Sequence, residues 1–119
     1  MIEFIEGLPD NVVAVRLSGV VKEEDYDKVL APAVEQEVQK YGKVRLLYQV
    51  QDFEKFSRGA MLEDMKLGVE NLNSFEKIAV VSDVGWMIDA VEAFKHIMPG
   101  TVKTYGNKEL SQAEAWVSE

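Results

Sequence analysis

The chain has 119 residues and no cysteine, and 47% of its residues are hydrophobic, as expected for a soluble globular domain with one full core. Its formal net charge of −8 opposes binding to nucleic acid or anionic lipid headgroups, and the lack of cysteine excludes disulfides and thiolate metal sites. No apolar run approaches the roughly 20 residues of a membrane helix, and the acidic N-terminus lacks the basic and apolar regions of a signal peptide.

Two strands joined by a short turn open the chain. Ile2–Ile5 has the first strand pattern, and residues 7–11 carry dense turn chemistry. The second strand, Val12–Leu17, is rich in β-branched residues and largely apolar on both faces. The short connection predicts an antiparallel hairpin, and the two apolar faces predict a sheet covered on both sides.

A long amphipathic helix is predicted over residues 23–41. Its apolar residues recur at helical spacing: Tyr26, Val29, Leu30, Ala33, Val34, Val38 and Tyr41. The acidic first turn, residues 23–25, complements the helix dipole, and a metal site there is the alternative. Pro32 removes one helical hydrogen bond, but the apolar spacing resumes in phase at Val34, so we expect a continuous, bent helix. Gly42 is expected to end it.

A third strand, a loop and a second helix follow. Val44–Val50 has the strand pattern, and residues 51–56 are expected to form a connecting loop. Ser57 can cap the second helix, because its hydroxyl can accept a hydrogen bond from an unpaired backbone N–H. The buried stripe of that helix is predicted to contain Met61, Leu62, Met65, Val69 and Leu72. Ile78–Val81 reads as a buried parallel strand.

The third helix, predicted over Gly85–Met98 with Asp83 as its cap, has an unusually broad apolar arc. Trp86, Ala93 and Ile97 lie along one flank, beside the arc expected to face the sheet. That flank must meet a neighbouring helix, another subunit or a ligand, and packing on the second helix is the ordinary interpretation.

The last elements are a fifth strand, Thr101–Tyr105, and a short amphipathic helix over residues 110–117. The complete order is ββαβαβαβα, and strands that alternate with helices imply parallel, right-handed crossovers. We therefore predict an α/β fold with one five-stranded mixed sheet and covering helices. We expect a single cytoplasmic domain over residues 1–119, with no nucleic-acid partner and no membrane-embedded segment.

Catalytic and cofactor motifs are missing from the sequence. Gly85 follows a strand and precedes a helix, but it lacks the further glycines of a phosphate-binding loop, and no Gly-x-Ser-x-Gly elbow occurs. The only histidine, His96, is expected near a helix end, where it can interact with the last carbonyls. We therefore predict a protein that is not an enzyme and that holds no cofactor or metal.

Two features remain for function. One is a set of bulky, adaptable side chains that form either ordinary core or a ligand or partner surface. Its members are Phe53, Phe56, Met61, Met65, Trp86, Met87, Phe94 and Met98. The other is Ser57, which either only caps its helix or is also phosphorylated to change the docking of a partner.

Several stretches resemble the SpoIIAA-like family of small bacterial proteins. The most specific is Phe75–Asp83, supported by Gly42–Tyr48, Gly59–Lys66 and Ala113–Trp116. The resemblance covers nearly the whole chain and implies the fold of STAS domains. It also implies a distant kinship with Sec14-like (CRAL-TRIO) lipid-carrier domains.

The resemblance to STAS domains also implies a regulatory alternative. Anti-sigma factor antagonists of this type are non-enzymatic and switch partners through a phosphorylated serine at the start of the second helix. Their motif is Asp-Ser-Ser-Gly, and the matching stretch here is Phe56-Ser57-Arg58-Gly59. Ser57 and Gly59 match the motif, whereas Phe56 and Arg58 depart from it.

The combined expectation is a non-enzymatic binding module. Its partner is an apolar or lipid-like small molecule, or a protein, held against the second and third helices. The alternative is an anti-sigma-factor-antagonist-like regulator switched at Ser57. The sequence leaves open the identity of the ligand and whether the chain forms a homo-oligomer.

Overall fold

The fold is built on one five-stranded sheet with the strand order β1-β2-β3-β4-β5, described over residues 1–119 in a computed structural model. The strands are β1 (Ile2–Phe4), β2 (Val12–Val21), β3 (Val44–Phe56), β4 (Phe75–Val81) and β5 (Thr101–Tyr105). β1 pairs antiparallel with β2, and every later neighbour is parallel. The predicted mixed sheet with one antiparallel pair is confirmed.

Four helices accompany the sheet. α1 covers residues 23–41 in three continuous segments: an α-helical turn Glu23–Asp25, a π-helical turn Tyr26–Leu30 and an α-helix Ala31–Tyr41. The other three are α2 (Arg58–Glu70), α3 (Gly85–Phe94, prolonged by a 3-10 turn Lys95–Ile97) and α4 (Leu110–Ser118, preceded by a 3-10 turn Asn107–Glu109). None of these helices has the length and apolar character needed to span a membrane.

Each face of the sheet has its own hydrophobic core. The larger core contains the odd-numbered residues of β2, such as Val13 and Val15, with buried side chains of α1, α2 and α3. The smaller core contains Leu47 and Ala79 with Ala113 and Val117 of α4. The helices of the three crossovers therefore lie on one face and α4 on the other, as right-handed crossovers that all step in one direction require.

Three crossover helices on one face are too many for this sheet. Each crossover advances by one strand, about 4.8 Å, whereas two packed helices need about 8–10 Å between their axes. The middle helix, α2, is displaced from the sheet. It packs mainly on the N-terminal half of α1 rather than on the sheet, and only Ala60 and Leu67 of its residues are buried.

α2 approaches α1 closely at Gly59. A Cβ atom placed on Gly59 would lie 2.8 Å from the Cβ of Glu23 and 2.7 Å from its carboxylate oxygen. Contacts this short do not occur between real side chains, so only glycine allows the first turns of the two helices to touch. This glycine therefore helps to set the displaced position of α2.

The displacement turns the apolar stripe of α2 outward, so its predicted burial is wrong. The residues Met61, Leu62, Met65 and Val69 are all exposed. On a helical projection the stripe centred on Met65 lies roughly 150° from the buried pair Ala60 and Leu67. The helical period is the predicted one, but tertiary crowding buries the opposite face of the helix.

α1 runs through Pro32 without a loop, which confirms the predicted continuity. The turn before the proline is π-helical, and the N–H of Ala31 bonds to the carbonyl of Tyr26, five residues back. Pro32 has no N–H to give, and a π turn is one of the ways in which a helix accommodates a lost i−4 hydrogen bond. Gly42 ends the helix in the left-handed conformation, with φ 74°.

β3 is longer than predicted, and the loop expected over residues 51–56 is strand. The residues Phe53, Lys55 and Phe56 pair in register with Gly19–Val21 of β2. Two register shifts accompany the extension, and Asp52 takes a left-handed φ of 53°. The sequence does not predict this extension, because apolar and polar residues no longer alternate strictly where the pairing of two strands is irregular.

The start of α3 also differs from its prediction, because Asp83 is not the cap. The hydroxyl of Ser82 accepts a hydrogen bond from the N–H of Val84, and Val84 is the N-cap residue. The Asp83 carboxylate instead accepts from the N–H of Asn107, which fastens the end of β4 to the turn after β5.

The orientation of α2 is testable with two truncations on the same helix. Leu67→Ala should lower the free energy of unfolding by about 2–5 kcal/mol, because it removes a buried side chain. Val69→Ala, two residues further on but exposed, should change it by about 0.5 kcal/mol or less. Urea denaturation of both variants measures the difference, and a larger loss for Val69→Ala would contradict the observed orientation.

Candidate functional site

The most unusual surface of the molecule is apolar and lies on α2 and α3. We call it the outer apolar surface and define it by seven side chains that are each 55–74% exposed. They are Met61, Leu62, Met65, Val69, Trp86, Phe94 and Ile97. All seven lie on the two crossover helices nearest the β5 edge of the sheet.

The outer apolar surface is large for a chain of this size. An aromatic side chain presents roughly 150–250 Å² when fully exposed and an aliphatic one somewhat less, so seven at these exposures present on the order of 800 Å². The largest apolar patch of a typical monomer covers about 300–600 Å².

Three aromatic rings join the N-terminal ends of α2 and α3. The ring centroids of Phe53 and Phe56 are 4.8 Å apart, and those of Phe53 and Trp86 are 6.5 Å apart. Phe53 and Phe56 come from the extension of β3, and Phe56 directly precedes the capping residue of α2. The extended strand therefore places an aromatic bridge between the two helices of the outer apolar surface.

The eight side chains predicted as core or partner surface divide into three groups. Phe53, Phe56 and Trp86 come together in the aromatic bridge, while Met61, Met65 and Phe94 are exposed on the helices. Met87 is buried in the larger core, and the partly buried Met98 packs against that core. Those two methionines have the core packing that was the other alternative for this set.

Trp86 does not have the environment that ordinary packing predicts for it. It is 59% exposed, and its nearest aromatic neighbour is Phe53 of β3. The expected packing of this flank on α2 fails because α2 leans toward α1. Ile97 of the same flank is exposed as well, so the contact of Trp86 with Phe53 leaves most of the flank uncovered.

Charges of both signs border the outer apolar surface. Arg58 and Lys66 of α2 are exposed beside its stripe. Asp89 is exposed on α3. The rim is therefore mixed, although the chain as a whole carries a net charge of −8.

A buried hydroxyl cluster holds α2 against α1 and β3. The hydroxyl groups of Tyr26 and Tyr48 share a short hydrogen bond, and the Tyr26 hydroxyl donates to the carboxylate of Asp64 at 3.0 Å. Burial raises the pKa of both tyrosines, with the negative charge of Asp64 adding to the effect at Tyr26. Both hydroxyls therefore stay protonated. The cluster fixes the position of α2, the helix that does not pack mainly on the sheet. No pattern in the sequence predicted it.

Ser57 caps α2 as predicted. Its hydroxyl oxygen accepts a hydrogen bond from the N–H of Ala60 at 3.0 Å. The residue is half-buried, and its neighbour Arg58 is exposed. A phosphate on this hydroxyl would lie at a helix N-terminus, a favourable place for negative charge.

Three carboxylates near the contact of α1 and α2 meet the spacing needed for a metal ion. The oxygens of Glu23, Asp27 and Glu63 lie within 4.8 Å of one another. The pKa of Glu63 is raised, chiefly by a hydrogen bond with Asp27. A cavity of about 150 Å³ lies beside Asp27 and Glu63.

A larger cavity, of about 430 Å³, lies at the opposite end of the sheet and is mostly polar. Its Arg45 is already paired with Glu76, with Nε to Oε1 at 2.6 Å, and the pKa of Glu76 is lowered by that bond. Arg45 also donates to the carbonyl of Val117 in α4. No residue of the outer apolar surface lines either cavity.

Comparison with known proteins agrees with this fold. A solved structure of an uncharacterised protein from Shewanella loihica PV-4 with a SpoIIAA-like fold is similar to this chain, with a TM-score of 0.78 and 20% sequence identity. The similarity covers 98% of this chain and 92% of that one. Among curated proteins, none matches. The model of the SpoIIAA-like family matches residues 12–118, from β2 to the end of α4, and the chain belongs to the SpoIIAA-like family.

Proposed function

We propose that this chain is a non-enzymatic binding module that holds a protein partner on its outer apolar surface. The observation that carries the proposal is the reversed helix α2, whose apolar stripe around Met65 points away from the core. An exposed stripe of this kind gains nothing for the fold. It gains free energy only when something covers it.

The shape of the surface favours a protein over a small molecule. Small-molecule sites are concave and bury most of their ligand, whereas the seven side chains here project from two helices and line neither of the two cavities described above. A lipid-like ligand remains the alternative within the same class, supported by the distant kinship with Sec14-like carriers that the family resemblance implies. It would have to lie against the aromatic bridge of Phe53, Phe56 and Trp86.

The side chains described here also support a non-catalytic role. The hydroxyls of Tyr26 and Tyr48 are bonded to each other, and burial keeps them protonated. Ser57 uses its hydroxyl as a helix cap, and the exposed His96 does not hydrogen-bond to Ser57 or to either tyrosine. A nucleophile with a base in hydrogen-bond reach, which most covalent mechanisms need, is thus not assembled around these groups.

A second candidate function is regulation through phosphorylation of Ser57. The position of Ser57 supports this function. Ser57 lies at the N-terminus of α2, between Phe56 of the aromatic bridge and Arg58 in the sequence. Added phosphate charge would therefore act directly at one end of the outer apolar surface.

Trp86→Ala tests the binding proposal. We expect the free energy of unfolding to fall by only about 1 kcal/mol, from the lost contact with Phe53, while the partner that co-purifies from the native host is lost. Thermal melting together with native mass spectrometry measures both quantities. Phe4→Ala, at an equally apolar position that is 55% exposed on β1, is the control and should retain the partner.

The opposite pattern for Trp86→Ala would contradict the proposal. A stability loss of about 3–5 kcal/mol with unchanged assembly and bound partner is what a buried structural tryptophan would show.

Two substitutions at Ser57 separate capping from regulation. Ser57→Ala should cost about 1 kcal/mol of stability, because the N–H of Ala60 loses its acceptor. Ser57→Asp keeps a good capping acceptor, so its stability should stay close to that of the unmodified chain. If Ser57→Asp nevertheless changes partner affinity, or if host protein carries phosphate on Ser57, the regulatory function takes precedence over simple binding.

A further inference from the structure

We infer that the protein held on the outer apolar surface is a second copy of this chain, so that α2 and α3 of two protomers form a two-fold symmetric interface. The inference rests on the proposed function and names its partner. It follows from the area, the composition and the charge pattern of that surface.

The area fits what a stable dimer needs. A standard specific interface buries about 800 Å² on each partner, close to the area of the seven exposed apolar side chains. Those side chains stand on two neighbouring helices whose N-terminal ends are joined by the aromatic bridge, so two copies could cover each other in one step.

The composition of the surface is that of a homodimer core. Methionine and aromatic residues are enriched at the centres of interfaces, and charged residues are depleted there. Here Met61, Met65, Trp86 and Phe94 are among the seven, and none of the seven is charged. By contrast, the outward side of an ordinary surface helix is polar.

The charge pattern favours a copy of the chain over other occupants. A partner selected by the net charge of −8 would be strongly basic, and its contact surface would need a uniformly acidic rim. The rim is instead mixed, with the exposed Arg58 and Lys66 on α2 and the exposed Asp89 on α3. In a two-fold symmetric interface the rim of one protomer contacts the same rim of the other protomer. A rim with charges of both signs can therefore pair opposite charges across the interface. An anionic bilayer is disfavoured by the net charge.

The first experiment is the mass in solution of the recombinant chain alone. Light scattering during gel filtration, over roughly 1–100 μM, should give twice the chain mass of 13.4 kDa at the upper end. Met65→Glu on α2 and Phe94→Glu on α3 each place a charge in the interface core and should weaken dimerisation by about 100-fold or more. Phe4→Glu puts the same charge on an exposed aromatic position of β1 and should leave the dimer intact.

A second measurement uses the absence of native cysteine. A single Val69→Cys gives one thiol on the outer apolar surface, and its rate of alkylation should fall as protein concentration rises through the dimerisation range. Gln112→Cys, exposed on α4 at the opposite face, is the matched control, and its rate should not change with concentration. Both variants must keep the melting temperature of the parent chain.

The outcomes distinguish this inference from the function on which it rests. A monomer at about 100 μM, or a dimer that neither Met65→Glu nor Phe94→Glu weakens, overturns the inference. If the chain is monomeric but Met65→Glu removes a different protein that co-purifies from the native host, the binding function stands with another partner. If the chain is monomeric and Met65→Glu changes nothing in the host material, both proposals fail.

Discussion

The difference between the spacing of strands in a sheet and the spacing of packed helices determines this structure. Neighbouring strands lie about 4.8 Å apart and packed helices about 8–10 Å apart, yet three successive crossovers place three helices on one face of four parallel strands. One helix has to leave the sheet, and the middle one does. The lean of α2 toward α1, the contact at Gly59 and the open flank at Trp86 all follow from this one constraint.

The displaced helix is nevertheless fixed in place. The hydroxyl cluster of Tyr26, Tyr48 and Asp64 ties it to α1 and β3, and the Ser57 cap closes its first turn. α2 is thus held on its inner side by this cluster and by the buried Ala60 and Leu67, while its apolar stripe faces outward. In a usual amphipathic helix the apolar face is buried, whereas here it is exposed. Single exposed apolar residues are common on protein surfaces, but a whole exposed stripe indicates a surface adapted for contact.

Sequence reasoning predicted the order of elements, the mixed sheet, the helix through Pro32 and the Ser57 cap, because each has a local signal in periodicity or capping chemistry. It failed where tertiary geometry decides between equivalent local patterns. Periodicity shows that Met61 and Met65 share a face of α2 but not which side that face takes. The strand at residues 51–56 and the role of Asp83 likewise depend on distant partners, Gly19–Val21 and Asn107.

Because of its π-helical turn, the number of residues in α1 affects where α2 can dock. Such a turn is an α-helix that carries one extra residue, and here it precedes Pro32. Deleting one residue between Tyr26 and Leu30 would restore regular helical bonding but rotate everything before it by about 100° around the helix axis. Tyr26 would then swing away from Tyr48, and Glu23 away from Gly59. The docking position of α2 is therefore set as much by the number of residues in the preceding helix as by the identity of any side chain.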